Sequence, residues 1–244
     1  MIRIDCQQGS ADWFAAKCGK IGASRVADAI SYLKKGGETA ARRTLKGVIV
    51  AEILTRIPQE SYVSEPMRFG TEQEPFARAL YEVTRGVSVE QVGFVVHSKI
   101  NRAGASPDGL IGDDGLIEIK CPNSSTHIEY ILGYTEAPSE YQPQMLWQMA
   151  CTERQWCDFV SFDPRMPEHL QLFVVRFHRD DARIAEMEAE VLKFLAEVDA
   201  IIERLPKEDP REALARQAEA ETIAKQVEDD MLMITGQEAA DAGA

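Results

Sequence analysis

The sequence predicts an α/β fold, a mixed central β-sheet flanked by helices. Three observations predict it. Segments of helical and of strand period are interleaved: helices lead, a strand cluster follows, a helix pair is inserted between strands, and a long helix closes the chain. Val87, Val89, Val92, Phe94, Val95 and Val96 crowd β-branched and aromatic side chains into one short stretch. Ile184, Met187, Val191, Phe194, Leu195, Val198, Ile201 and Ile202 recur at helical spacing until Pro206. With 45 % hydrophobic residues among 244, the chain can bury such a core.

Each element has a local reason. Ser10 caps a short helix that runs to Lys17. Ser24 reads as the N-cap of a second helix, with Val26, Ala29, Ile30 and Leu33 as its stripe and Gly36-Gly37 as its end. A third helix spans residues 39–57, its apolar side built from Leu45, Val48, Ile49, Ile53 and Leu54, and Pro58 stops it. A fourth spans 68–85 and ends at Gly86, with Pro75 near its first turns. The valine-rich stretch gives one or two strands. Residues 105–111 and 116–121 form a hairpin about Gly112-Asp113-Asp114-Gly115, residue types that suit a tight reversal. Helices at 125–132 and 140–152 follow, then strands at 156–162 and 170–177, then the long helix at 181–205.

Residues 1–205 therefore read as a single domain. Residues 206–244 turn to Ala, Glu and Gln and predict an acidic solvated helix or a tail, not a second domain. No apolar run is long enough for a membrane helix. Five cysteines without a Cys-x-x-Cys pair, and no secretory leader in view, point to reduced thiols in a cytoplasm. His97, His127, His169 and His178 lack the spacing of a zinc site. Cys6, Cys18, Cys121, Cys151 and Cys157 lack the grouping of an iron–sulfur site.

A net charge of −13 argues against a polyanionic partner until its distribution is read. Residues 181–244 carry 17 acids and 7 bases, so most of the excess lies there. Residues 15–47 carry Lys17, Lys20, Arg25, Lys34, Lys35, Arg42, Arg43 and Lys46 against Asp28 and Glu38. A local basic surface can bind phosphates on an acidic chain, and solvated lysines on short helices fit the same pattern.

The chemistry is concentrated in Ser106-Pro107-Asp108-Gly109-Leu110 and Ile117-Glu118-Ile119-Lys120-Cys121-Pro122. Alternate side chains of a strand share a face, so Glu118 and Lys120 project together while Ile117 and Ile119 point into the core. The hairpin brings Asp108 near Glu118, at the edge of an otherwise apolar sheet. Two carboxylates, one ammonium and a backbone carbonyl suit a hard divalent cation such as Mg²⁺. Such an ion offsets the repulsion between Asp108 and Glu118, acidifies a water and holds a phosphate oxygen. Lys120 can position that water or steady the charge of the transition state. Glu-x-Lys alone is a weak signal, because an exposed Glu–Lys pair on a strand is common; Pro-Asp ten residues upstream with a turn between strengthens it.

Pro107-Asp108 with Glu118-x-Lys120 resembles the PD-(D/E)xK nuclease signature. The wider context resembles one branch, the phage lambda exonuclease or YqaJ-type viral recombinase family, over residues 8–205. The blocks that carry the resemblance are, in order, Gln8-Gly9 with Trp13; Gly22-Ala23-Ser24; Phe69-Gly70 with Glu74; the two blocks quoted above; Tyr141 with Gln144; and Phe162-Asp163-Pro164-Arg165-Met166.

The resemblance implies a PD-(D/E)xK restriction-endonuclease-like core. It implies Asp108, Glu118 and the Ile119 carbonyl as metal ligands, with Lys120 as the catalytic lysine. Glu74 matches a helix carboxylate beside two metal ions, and Gln144 a polar residue near the nucleophilic water. Tyr141 matches an aromatic near the same site. A second pocket is implied for a 5′-terminal phosphate, where Ser24 and Ser106 match hydroxyl donors. Lys17 stands at the family's phosphate-gripping arginine, and lysine lacks the bidentate fork. Met67 falls at an apolar wedge that helps part the strands. Trp13 either packs or lies on the DNA path. Shortly after the catalytic strand the family has an arginine; this chain has Thr126 and His127 there.

The activity implied is a Mg²⁺-dependent 5′→3′ exonuclease on double-stranded DNA ends, preferring a 5′-phosphate, with Mn²⁺ as a substitute ion. It leaves a 3′ single strand for a phage-type annealing protein, works as a homotrimeric ring, and belongs to a phage or prophage in a bacterial cytoplasm. No membrane partner is expected. Two other readings are a sequence-specific endonuclease of the same superfamily and a binding module that has lost catalysis.

Overall fold

Side-chain hydroxyls cap three of the four helices in the N-terminal part of the chain, among the described residues. The computed structural model describes residues 2–59, 64–133, 135–207 and 209–241. The chain divides into two units, Met1–Ala200 and Ile201–Ala244. In the first, β1 (Ile2–Ile4) leads to α1 (Ala11–Lys17), where Ser10 Oγ accepts the Trp13 N–H. After β2 (Ile21–Gly22) comes α2 (Ala23–Ala29), whose N-cap is Gly22, so Ser24 lies inside the helix and does not cap it. Ile30 is its C-cap, two turns before Gly36-Gly37. Those glycines instead form a reversal with φ of +85° and +90°, beside the bridge between Tyr32 and Glu38. Leu33 is therefore exposed rather than part of a stripe.

Thr39 caps α3 (Ala40–Thr55) and Ser64 caps α4 (Glu65–Arg85). α4 begins earlier than its apolar pattern suggests because Pro66 fits a first helical turn. The valine-rich stretch splits into β3 (Val89–Glu90) and β4 (Phe94–Val96). The first arm of the expected hairpin is also split. Ala103–Ala105 forms β5, and only β6 (Gly109–Ile111) pairs with β7 (Gly115–Lys120) about the turn. Next come α5 (Ser124–Gly133), α6 (Gln142–Thr152), β8 (Trp156–Phe162), a short 3₁₀ turn at Glu168–Leu170, β9 (Leu172–His178) and α7 (Asp181–Arg204).

The strands make two mixed sheets. One has the order β1-β4-β5-β2, with β2 and β5 parallel; the other has β3-β6-β7-β8-β9, with β7 and β8 parallel. β7 is thus the central strand of its sheet and not an edge. Ile117 and Ile119 project from one face of β7 into a cluster with Ala77 and Tyr81 of α4 and Val160 and Phe162 of β8. Glu118 alternates to the other face, towards α6. α6 touches α2, β5 and β8, and its Met145, Leu146, Trp147 and Met149 are fully buried. A charged side chain is thereby carried into the interior between a strand and a buried helix.

In the second unit, α8 (Pro210–Asp241) is a helix whose Leu214, Ile223, Val227 and Met231 are exposed. Among the described residues no helix is long and apolar enough to cross a membrane.

Candidate active site

The β6–β7 hairpin fixes the acidic corner. Gly109 pairs with Ile117, and a Cβ at Gly109 would collide with Val89 of the neighbouring strand. A residue without a side chain is needed there to let β3 close on β6. That packing seats the preceding Asp108, whose Oδ2 accepts the Ile119 N–H at 2.6 Å. Gln8 ties down the same corner, donating to the Val92 and Pro107 carbonyls at 2.8 and 2.9 Å.

Glu118 is fully buried. Its Oε1 accepts from Gln144 Nε2 at 2.6 Å and lies 2.5 Å from Lys120 Nζ. Its Oε2 accepts from Gln148 Nε2, also at 2.6 Å. Gln144 and Gln148 are one turn apart on α6 and so share a face. An exposed strand ion pair is thus ruled out for Glu118: this carboxylate is buried and held by three donors. Lys120 Nζ also lies 5.0 Å from the Tyr141 ring centroid, and Tyr141 stacks on Phe159 of β8 at 5.5 Å. Glu74 of α4 pairs with Arg78 one turn on.

These groups meet in a cleft of about 440 Å³ that includes Glu74, Asp108, Glu118, Lys120, Tyr141 and Gln144. Burial pushes the Asp108 carboxyl well above the ordinary range, and the Glu118 and Glu74 charges push it further. Burial and Glu118 also raise Glu74, against the pull of Arg78. Burial alone would lower the Lys120 ammonium, but Glu118 and Asp108 outweigh it and hold the group above an ordinary lysine. The cleft therefore concentrates more negative charge than its own cations offset. That imbalance, with an all-oxygen donor set, fits a hard divalent cation. Among the described residues no three His, Cys, Asp or Glu side chains form a metal cage by themselves. The Ile119 backbone also lines the cleft.

A second pocket, of about 390 Å³, adjoins the first. Trp13, Lys17, Ser24, Arg25 and Glu52 line it, and Met67 lines both pockets. Met67 is 55 % exposed, so it is a partition between two cavities and not a core contact. Lys17 Nζ lies 3.5 Å from the Trp13 ring centroid. Burial and the nearby Arg25 charge lower the Lys17 ammonium to about 8, although Glu52 opposes them. Trp13 Nε1 donates to Ser106 Oγ at 2.8 Å, so Ser106 is linked to this pocket through the indole. Trp13 is a half-buried wall of the pocket.

Two residues here escaped the sequence reading. Gln148 hides in an apolar run, yet a glutamine amid buried neighbours requires partners, and that was its signal. Arg25 is one of many bases in its region; its pairing with the buried Glu52 at 3.3 Å singles it out only in three dimensions. Thr126 donates its N–H to Asn123, and His127 is buried between Ser161 Oγ and the Leu170 carbonyl. His127 therefore lines neither pocket.

Known proteins share this fold. LHK-Exo, solved in complex with dAMP, is 47 % identical, with a TM-score of 0.73 over 86 % of this chain and 99 % of that one. A second structure of the same protein, an alkaline exonuclease from Laribacter hongkongensis, gives 47 % identity and a TM-score of 0.72 over the same shares. A phage related exonuclease from Haemophilus somnus 129PT shares the fold, with a TM-score of 0.58 at 17 % identity over 77 % of this chain and 96 % of its own. No curated protein matches. The mixed sheets flanked by helices are the PD-(D/E)xK-like core of these relatives. Residues 12–155 match the YqaJ-like viral recombinase domain, which takes in both pockets, and the chain belongs to that family.

Proposed function

We propose that this chain is a divalent-metal-dependent exonuclease that degrades one strand of linear double-stranded DNA from its 5′ end and leaves a 3′ single strand. The observation that carries the reading is the adjacency of the two pockets across Met67. One holds a hydrolytic set, the other a basic set for a terminal phosphate. The likeness to an alkaline exonuclease at 47 % identity supports it.

Asp108 and Glu118, with the Ile119 carbonyl, are the residues that would hold Mg²⁺ or Mn²⁺, and Glu74 would serve a second ion. When bound, such an ion lowers the pKa of a water and offsets negative charge on the scissile phosphate. Gln144 and Gln148 fix the Glu118 carboxylate so that it does not reorganise during the reaction. Lys120 places a permanent positive charge against the charge that develops at phosphorus. Lys17, Arg25 and Ser24 grip the 5′-phosphate, with Ser106 steadying Trp13. Arg25 supplies the planar fork that Lys17 lacks. Met67 parts the terminal base pair, and Tyr141 holds the lysine stem in place.

In this reading the enzyme works in a bacterial cytoplasm as a homotrimeric ring, and a phage-type annealing protein receives its product. Enclosure keeps the enzyme on DNA while phosphate contacts stay weak enough to slide. The test is digestion of linear duplexes with 5′-phosphate or 5′-hydroxyl ends, and of a covalently closed circle, with Mg²⁺ or with EDTA. The reading expects Mg²⁺-dependent loss of the linear forms, fastest for the phosphorylated end. Cleavage of the circle would instead establish an endonuclease, and no cleavage of any substrate a binding module.

A further inference from the structure

Arg165 is held at the rim of the catalytic cleft by three separate parts of the chain. Its Nε and its backbone N–H donate to Asp163 Oδ1 at 2.6 and 3.0 Å. Its Nη2 donates to the Pro122 carbonyl at 2.9 Å. Its guanidinium lies 4.8 Å from the Phe69 ring centroid. Pro122, and Gly70 next to Phe69, line the cleft together with Asp108 and Lys120.

The pair is asymmetric. Asp163 is fully buried, whereas the Arg165 side chain is 48 % exposed. The negative end lies inward and the positive end outward, beside an acidic cleft. Lys120, the cation among the described lining residues, pairs with Glu118, and Arg78 behind the lining pairs with Glu74. A polyanion approaching this wall needs an outward cation to meet it. Arg165 suits that role, because its fork matches phosphate geometry and Nη1 takes no part in the three contacts above. Stacking on Phe69 and the bond to Pro122 fix the side chain in advance, so little rotamer freedom is lost on binding. His127, the nearest histidine in sequence to the catalytic strand, has both ring nitrogens engaged internally and cannot serve.

We propose that Arg165 is a phosphate-binding residue for the nucleic-acid strand that occupies the cleft. The proposal rests on the reading of the cleft as a nuclease site. The test compares the full-length wild type, Arg165→Gln and Arg165→Lys for binding to linear duplex across a salt series in EDTA, so that nothing is cleaved. Steady-state digestion in Mg²⁺ and thermal unfolding complete it. Loss of one charge-assisted phosphate contact weakens binding about tenfold. It also reduces the slope of log affinity against log salt by about 0.9. KM rises more than kcat falls, and Arg165→Lys keeps the wild-type slope. A slope in Arg165→Gln equal to wild type, whatever the change in unfolding temperature, makes the residue a strut between Asp163 and Pro122 and overturns the proposal. Should Arg165→Gln fail to fold, Arg165→Lys carries the test. Its affinity drops severalfold if the fork grips phosphate, and unchanged affinity overturns the assignment. Wild-type protein that neither binds nor digests duplex would refute the nuclease reading itself, an outcome distinct from either of these.

Discussion

Gln148 Nε2 donates at 2.6 Å to Glu118 Oε2, the oxygen that Gln144 leaves to it. The two amides grip one buried carboxylate from successive turns of α6, and only Gln144 reaches the cleft. In the proposed mechanism Gln148 is therefore a positioning residue. Gln148→Leu keeps the volume and removes the donor. It leaves a buried carboxylate oxygen unsatisfied, which costs about 1–3 kcal/mol. The expected result is a lower unfolding temperature together with a fall in kcat on the order of 10²-fold, because small misplacements of a reacting set are that costly. Mg²⁺ titration of the rate should also shift to higher concentration. Near-normal turnover in a destabilised protein would reduce Gln148 to a packing residue.

Lys120 is the cation in direct contact with Glu118, and it lies over the Tyr141 ring. In the proposed mechanism Lys120→Ala removes the positive charge that faces the reacting phosphate. Loss of one such stabilising group costs roughly 10²-fold or more in kcat. Duplex affinity should stay close to wild type, since the phosphate grips lie elsewhere. Single-turnover digestion and a binding titration on the same preparation separate these effects. Activity within a few fold of wild type would remove Lys120 from the mechanism.

How much of this was legible beforehand depended on the length of each signal. Asp108, Glu118 and Lys120 could be read because strand alternation and a glycine-bounded turn fix their relation locally. β1 and β2 could not, since strands of three and two residues carry no period. Ser24 was misread as a cap because Gly-Ala-Ser lets the helix start at either end; extended backbone at Gly22 decided it. The hairpin arm broke at Ser106-Pro107, where a proline without an N–H lets the chain pass from one sheet to the other. Met67 and Arg25 acquire meaning only from the cavities beside them. No local pattern encodes the distance between α2 and α4.

Lys17 links the second pocket to pH. Its ammonium is lowered to about 8 by burial and Arg25, so the cation is present below that value and is lost as pH rises through it. The preference for a 5′-phosphorylated over a 5′-hydroxyl end should therefore shrink from pH 7 to pH 9. Lys17→Arg stays charged and should flatten that profile. Lys17→Ala should narrow the preference at every pH. The ratio of initial rates on the two ends measures all three proteins. An equal slowing of both ends by Lys17→Ala would make the residue a general DNA contact.

Glu197 anchors α7 to α3 through Arg42, whose Nη1 and Nη2 donate to it at 2.6 and 2.9 Å, and through Lys46 at 2.9 Å. Arg42 is fully buried, and its bonds lower the Glu197 carboxyl to about 2, against burial and with help from Lys46. A carboxyl depressed by folding stabilises the fold above its ordinary value near 4.5 and loses that contribution as pH falls towards 2. The carboxylate is 41 % exposed, so solvent screens much of the effect. Glu197→Gln should lower the unfolding temperature at pH 7 by a few degrees, and the gap from wild type should close as pH drops below about 4. A gap that does not change with pH would mean that packing, not charge, holds this contact.

The C-terminal helix tests where the working part of the chain ends. Over residues 207–244 there are ten acids and four bases, and the described apolar side chains Leu214, Ile223, Val227 and Met231 are exposed. Ala, Glu, Gln, Lys and Arg are strong helix formers, so α8 can form on propensity with little burial. Apolar side chains that stay exposed contribute little burial energy, so losing those described ones should cost residues 1–205 little stability. The acidity of the segment would repel DNA if it entered either pocket. Truncation after Leu205 should therefore preserve turnover on naked linear duplex, the oligomeric state in sedimentation and the main unfolding transition. Unequal turnover would show that residues beyond Leu205 complete the site. A change in sedimentation alone would show that they join subunits, and the boundary at 205 would have to move.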